Sequence, residues 1–179
     1  MYLQNAMFNT VKKLKSQAAN MLTISNLAFG GAAIMATMNE QYTYSVLFIF
    51  VAGLLDRFDG IVARKFNLES ELGKQLDSMS DIISFGVAPA LLMYSLVLHE
   101  FSVTGMAITV LYIACGGFRL ARFNISESNG FFTGLPITVA GVILTLSYFA
   151  INYIPSVSYM FLVIILSILM ISTFTARKV

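Results

Sequence analysis

Charge is scarce in this chain. Only 11% of its 179 residues are charged while 58% are hydrophobic, against roughly 25% charged in soluble domains. That balance excludes an ordinary soluble domain and points to a small integral membrane protein. Cysteine is nearly absent. With Cys115 alone no internal disulfide can form, and its place inside an apolar run makes it a packing residue. The one histidine, His99, falls in a loop away from the acidic residues discussed below, where solvent exposure rather than catalysis is expected. A net charge of +2 is too small to suggest a nucleic-acid partner. No linker or composition break divides the chain, so a single domain over residues 1–179 is expected. The start of the chain lacks the n-region, long apolar core and small-residue cleavage site of a secretory signal.

What is present is a series of apolar runs near the roughly 20 residues needed to cross a bilayer. Spans are expected near residues 22–38, 43–63, 73–98, 103–124, 134–152 and 157–175. An all-α integral membrane protein with six transmembrane helices and both termini on one side is therefore expected. Charge placement tests that count. With those boundaries Lys12, Lys13, Lys15, Arg57, Arg64, Lys65, Lys74, Arg119, Arg122, Arg177 and Lys178 all lie at one face, and the opposite loops carry only Glu40, His99 and Glu100. Such segregation is the positive-inside pattern, so both termini and the acidic residues are expected to face the cytoplasm, at the inner membrane if the cell is bacterial.

Ahead of the first span, Leu3, Met7, Val11, Leu14 and Ala18 recur at helical spacing while Lys12, Lys13 and Lys15 lie off that stripe. This suits an N-terminal amphipathic helix over residues 1–20, lying in the cytoplasmic interface beside anionic lipid headgroups. A frayed polar tail is the alternative. Pro89 is expected to kink the third span, with neighbouring groups compensating for its missing N–H.

Four carboxylates interrupt this apolar pattern. An Asp at the centre of a spanning helix costs roughly 3 kcal/mol on insertion scales, so something cationic must compensate Asp56, Asp59, Asp77 and Asp81. Asp77 and Asp81 are four apart and share a helical face with Gly73; Asp56, Asp59, Gly60 and Ala63 form a matching stripe on the preceding helix. An all-oxygen set with no His or Cys nearby suits Mg²⁺, Mn²⁺ or Ca²⁺ and argues against zinc. A paired divalent-metal site is expected. The alternative from a different class is an ion-coupled transporter or channel whose aspartates form a cation path.

The pattern from Asp56 to Asp81, D-x2-D-G-x2-A-R-x8-G-x3-D-x3-D, resembles the signature of the CDP-alcohol phosphatidyltransferases at every fixed position: Asp56, Asp59, Gly60, Ala63, Arg64, Gly73, Asp77 and Asp81. The resemblance implies that Asp56, Asp59 and Asp77 are metal ligands. It implies that Asp81 completes the metal site and takes the proton from the attacking hydroxyl as general base. Arg64 would approach the phosphates or nucleotide, or else tie the carboxylates together as a counter-ion. Gly60, Ala63 and Gly73 would let a nucleotide approach the helix backbones, or serve close helix packing. The family also implies a homodimer. Upstream, the stretch from Asn20 to Asn26 resembles the start of the family's first span. Thr23 and Asn26 share a face there and could bind the nucleotide, support a metal ligand or pack between helices.

The second half of the chain bears on the acceptor. Phe118-Arg119-Leu120-Ala121-Arg122-Phe123-Asn124 and Phe132-Thr133-Gly134-Leu135-Pro136, taken with the run from Asp81 to Pro89, resemble the phosphatidylserine synthase branch of that family. The implied reaction transfers a phosphatidyl group from CDP-diacylglycerol to the hydroxyl of L-serine, with release of CMP. Serine brings a carboxylate, which Arg119 and Arg122 could grip with paired hydrogen bonds, while Asn124, Ser84 and Thr133 could add polar contacts. Membrane anchoring or lipid-phosphate binding is the other reading of the two arginines. Glycerol 3-phosphate or an inositol species are the rival acceptors. Direct attack and a covalent aspartyl intermediate both stay open.

Overall fold

The computed structural model describes residues 2–66, 70–125, 131–173 and 175–177. Seven α-helices make up nearly all of it: α1 Tyr2–Met38, α2 Tyr42–Phe66, α3 Glu71–Asp81, α4 Ala88–Leu96, α5 Ser102–Ile125, α6 Ile137–Leu146 and α7 Ser156–Ile171. A helix closes its backbone hydrogen bonds within one segment, which is what an apolar chain in lipid requires. One short antiparallel ribbon departs from the all-helical expectation. It pairs β1, Phe131–Thr133, with β2, Thr175–Arg177, in the register Phe131 to Arg177, Phe132 to Ala176 and Thr133 to Thr175.

Among the described residues, three helical stretches are long and apolar enough to cross a bilayer: Asn20–Met38, Glu71–Leu96 and Leu98–Ile125. The second joins α3 to α4 through a π-helical turn at Ile82–Val87, and the third joins a 3-10 turn at Leu98–Phe101 to α5. Helix α2 has 25 residues, but its last turns carry Asp56, Arg57 and Asp59. The apolar stretches Ile137–Ala150 and Ser156–Ile171 reach only about 21 and 24 Å at 1.5 Å per residue, short of the roughly 30 Å hydrocarbon core. The expected separation of an interfacial helix at 1–20 from a first span at 22–38 is not marked by any break. Helix α1 runs through both without interruption.

Local chemistry sets several boundaries. Ser70 stands before α3 in an extended conformation, and its hydroxyl accepts from the Gly73 N–H at 3.0 Å, an N-cap that satisfies one orphan donor of the first turn. Pro136 and Pro155 sit immediately before α6 and α7, where a missing N–H leaves no ladder bond unmade.

The interruption expected at Pro89 is the π-turn itself. In a regular helix the Phe85 carbonyl would accept from the residue four positions on, and that residue is Pro89, which has no N–H. Tyr112 from α5 supplies the proton instead, its hydroxyl donating to Phe85 O at 3.2 Å. Gly141 of α6 passes close to the same carbonyl; a Cβ there would stand 2.6 Å from Phe85 O. Gly30 of α1 likewise leaves room for the Ser84 side chain in the π-turn, as small residues do where membrane helices approach closely.

Around this turn Phe85, Met93, Tyr112, Ile137, Leu144 and Met170 are buried together. A second buried group, Ala33, Val46, Ile49, Ala88 and Leu92, joins α1, α2 and α4. Outward-facing Leu54, Val110, Phe161 and Ile165 are exposed, in keeping with a lipid surround.

Tyr112→Phe is expected to lower the thermal unfolding midpoint in detergent, corresponding to about 1 kcal/mol for an unpaired buried carbonyl. In a Pro89→Ala background, where residue 89 regains its N–H, the same change should cost clearly less. Equal losses in both backgrounds would refute the role given to the tyrosine hydroxyl.

Candidate active site

Acidic side chains from α2 and α3 meet at one end of the bundle. Ligand oxygens of Asp56, Asp77 and Asp81 all lie within 4.8 Å of one another, and the Asp56 and Asp81 carboxylates are within hydrogen-bonding reach. The helical register explains the convergence. Asp77 and Asp81 stack one turn apart on α3, and Asp56 comes from the facing end of α2. Three like charges this close repel one another strongly away from bulk water, and a hard cation with oxygen preference is the partner that relieves it. Buried Asp81 Oδ1 has no hydrogen-bond partner, as a free ligand atom would. The residues present therefore fit a divalent metal.

Asp59 is held differently. It is 6% exposed and accepts a hydrogen bond from the Thr23 hydroxyl of α1. Thr23 is in turn tied to α3, because Ser80 donates its hydroxyl proton to the Thr23 carbonyl at 3.0 Å. One turn further along α1, Ser84 donates to the Asn26 carbonyl at 3.2 Å. The α1 polar residues thus brace the two acid-bearing helices from behind. Ser80 carries no motif or spacing that marks it in the sequence. Its signal was only a small hydroxyl residue beside Asp81, which carries no information without knowing that α1 lies opposite.

Asn26 is fully buried, and neither its amide nitrogen nor its amide oxygen has a hydrogen-bond partner. Arg119 of α5 is 8% exposed, with its Nε likewise unpartnered. Its guanidinium lies 5.8 Å from the Phe123 ring centroid, a cation–π contact one helical turn on, and its charge reaches Asp81. Asn26 and Asp81 thus carry unpartnered polar atoms on either side of Ser84, and Arg119 carries one within electrostatic reach of Asp81. Each buried polar group left unpaired costs roughly 1–3 kcal/mol, so a polar ligand has several atoms there to satisfy.

The other candidates are spread more widely. Arg122 is engaged elsewhere: its guanidinium donates to the carbonyls of Ile171 at 3.0 Å and Ser172 at 3.2 Å, capping the C-terminal end of α7. Gly134, at φ 76°, brings the chain entering α6 against that same end; a Cβ there would stand 2.5 Å from Met170 O. Asn124 donates from its amide to the Ser78 hydroxyl at 2.8 Å. Gly73 faces the Ser70 hydroxyl and the Asn20 side chain, 3.1 and 3.5 Å from where a Cβ would stand. Gly60 is half-buried near the end of α2. The side chains of Ala63, Arg64 and Thr133, and the loop from Ser126 to Gly130, lie outside the described residues.

A helical membrane protein with a carboxylate cluster at one bundle end that could hold a metal ion has the architecture expected of a membrane-embedded enzyme. The particular family follows from sequence comparison: residues 16–176 match the CDP-alcohol phosphatidyltransferase family, and the chain belongs to that family. A CDP-diacylglycerol--serine O-phosphatidyltransferase from Bacillus subtilis is 42% identical over 133 residues, covering 74% of this chain and 75% of the relative. An archaetidylserine synthase from Methanothermobacter thermautotrophicus is 36% identical over 173 residues, covering 94% and 73%. A CDP-diacylglycerol--serine O-phosphatidyltransferase from Helicobacter pylori is 38% identical over 130 residues, covering 71% and 55%.

Manganese binding followed by electron paramagnetic resonance tests the cluster directly. Asp77→Asn should weaken it by roughly tenfold or more, and Thr23→Val should weaken it to a smaller degree by releasing a supporting carboxylate. Unchanged binding in Asp77→Asn would rule out the carboxylate cluster as the metal site. Arg122→Ala should lower the unfolding midpoint by leaving the two α7 carbonyls unpaired. A raised serine requirement with unaltered stability would instead place that guanidinium on the acceptor.

Proposed function

We propose that this chain transfers a phosphatidyl group from CDP-diacylglycerol to the hydroxyl of L-serine, giving phosphatidylserine and CMP. The observation that carries the reading is the convergence of Asp56, Asp77 and Asp81 within the signature register of a family whose similar members are named for serine transfer. The archaeal relative's name differs in its lipid and shares serine, which favours serine over glycerol 3-phosphate or an inositol species. The lipid chains of the donor are left open by that same comparison.

In this reading Asp56, Asp59, Asp77 and Asp81 hold divalent metal, Mg²⁺ or Mn²⁺, as a pair of ions. Bound there, the metal neutralises the pyrophosphate and stabilises the departing CMP. The chain's own groups do the rest. Asp81 takes the proton from the serine hydroxyl, a task for a carboxylate with one oxygen free of protein partners. Arg119 receives the serine carboxylate, its unpartnered Nε and buried position giving a strong charge-assisted contact. Ser84 and Asn26 meet within one turn of Asp81, with Asn26 and Thr23 serving the nucleotide or the metal ligands. Gly60, Ala63, Arg64 and Gly73 form the nucleotide side. Arg122, Asn124 and Thr133 frame the acceptor side, the first two through the contacts they make with α7 and α3.

The reading extends to the setting. One catalytic domain crosses the membrane six times as a homodimer, with the aspartates and both termini on the cytoplasmic side and residues 1–20 near the inner headgroups. The segregation of every Lys and Arg to one side of the expected spans supports that orientation. CDP and serine then arrive from water while the lipid tails enter sideways from the bilayer.

Purified protein supplied with CDP-diacylglycerol and Mn²⁺ should release CMP with serine, and far less with glycerol 3-phosphate or inositol phosphate. Asp81→Asn should lower the rate by roughly a hundredfold or more, and chelation should abolish it. Indifference to serine would overturn the acceptor assignment. Ion flux without CMP release would instead support the transporter reading.

A further inference from the structure

A closed ring of hydrogen bonds joins α3 to α5 beside the acidic cluster. Lys74 donates from Nζ to the Asn124 carbonyl at 3.0 Å. Asn124 donates from Nδ2 to the Ser78 hydroxyl at 2.8 Å. Ser78 passes its own proton to the Lys74 carbonyl at 3.1 Å. Each group is used in the direction its chemistry allows: an ammonium can only donate, an amide nitrogen can only donate, and one hydroxyl both accepts and donates.

Both ends of the ring have a reason to be there. The Asn124 carbonyl belongs to the last turn of α5, which ends at Ile125, and the last four carbonyls of a helix have no partner within it. A lysine ammonium there is also favoured by the helix dipole. On α3, Lys74 and Ser78 are four apart, and Ser78 directly follows Asp77. The ring therefore grips the helix on the face adjoining that of Asp77 and Asp81.

Arg119 lies five residues before Asn124 on α5, with its charge acting on Asp81. The separation between the α3 acids and the α5 guanidinium depends on how those helix ends are joined. On the side toward α7, Arg122 holds the end of α5 through the Ile171 and Ser172 carbonyls. On the side toward α3, the ring supplies a side-chain connection.

We propose that Lys74, Ser78 and Asn124 are positioning residues that set the distance between the aspartate cluster and Arg119, and so govern acceptor affinity without touching the acceptor. This rests on the serine-transfer reading. It gives Asn124 a different task from direct serine contact, and gives Lys74 and Ser78 tasks that the signature does not assign.

A double-mutant cycle separates the two roles of Asn124. With positioning by the ring, Ser78→Ala and Asn124→Ala each raise the KM for serine by roughly three- to tenfold. The double variant is then no worse than either single one, because the residues act as a unit. The KM for CDP-diacylglycerol stays unchanged, and Ser78→Thr, which keeps a hydroxyl, restores most of the serine affinity. If Asn124 contacts serine directly, Asn124→Ala raises the KM while Ser78→Ala behaves as wild type, and the proposal is overturned.

A readout independent of turnover accompanies the cycle. Spin labels at Leu72→Cys and Ile125→Cys, both exposed in the native chain, in a Cys115→Ala background report the α3–α5 distance. Ser78→Ala should broaden that distribution. A distribution left sharp overturns the ring as a positioning device even if the enzyme proves to use another acceptor. Loss of serine turnover in the otherwise native protein, with broadening retained, would overturn only the serine-transfer reading.

Discussion

Mutual repulsion among carboxylates at membrane depth is the constraint on which this structure turns. Asp56, Asp77 and Asp81 present oxygens within 4.8 Å of one another, in a chain so apolar that water offers little screening from most directions. In bulk water such an arrangement would cost little; between helices it is relieved by positive charge close by or by a proton shared between neighbouring carboxyls. Arg119 contributes part of that charge from α5. A divalent cation is the natural remainder, and the same field that demands it suits the handling of a pyrophosphate. The structural need for a cation and the chemical use of one are thus the same electrostatic fact.

A second constraint is the satisfaction of backbone groups where no water can reach. Pro89 removes one donor from the span that carries two of the acids, and the chain answers with a π-turn and the Tyr112 hydroxyl. This local irregularity has a structural consequence close to the acids. The π-turn starts directly after Asp81 and includes Ser84, which reaches the Asn26 carbonyl. The span is therefore locked against α1 and α5 within one turn of the acidic cluster. Irregular backbone in membrane proteins is tolerated where it is buried in protein, and here it lies within the group of side chains around Phe85 and Tyr112.

Much of the site was legible from residue spacing. A three- or four-residue step on a helix puts side chains on one face whatever surrounds it, so the acid stripes at 56–59 and 77–81 could be read directly. The resemblance to the signature added identities to those positions. Sequence was less informative where a residue's partner comes from far along the chain. Spacing offers Arg122 to a serine carboxylate or to lipid phosphate, and the structure adds a contact that spacing does not show, to the carbonyls of Ile171 and Ser172 at the end of α7. Asn124 reads as an acceptor contact, and its amide also meets Ser78. An arginine's fork fits a substrate carboxylate and a pair of backbone carbonyls alike, and spacing cannot choose between them. The three-residue ribbon between β1 and β2 was illegible for a related reason, since its strands are over forty residues apart and short enough to carry no period.

By itself the sequence determined the apolar helical character of this protein and which acids share a helical face. These depend on composition and on the fixed geometry of the helix, which are local properties. Tertiary structure alone decided that three of the four aspartates converge while Thr23 holds the fourth, that Tyr112 completes the backbone at Pro89, and that the end of α5 is fastened to α3 on one side and α7 on the other. Those outcomes depend on which helices become neighbours, and that is settled by packing small residues such as Gly30 and Gly141 against distant backbone, a choice made by the whole bundle rather than by any one segment.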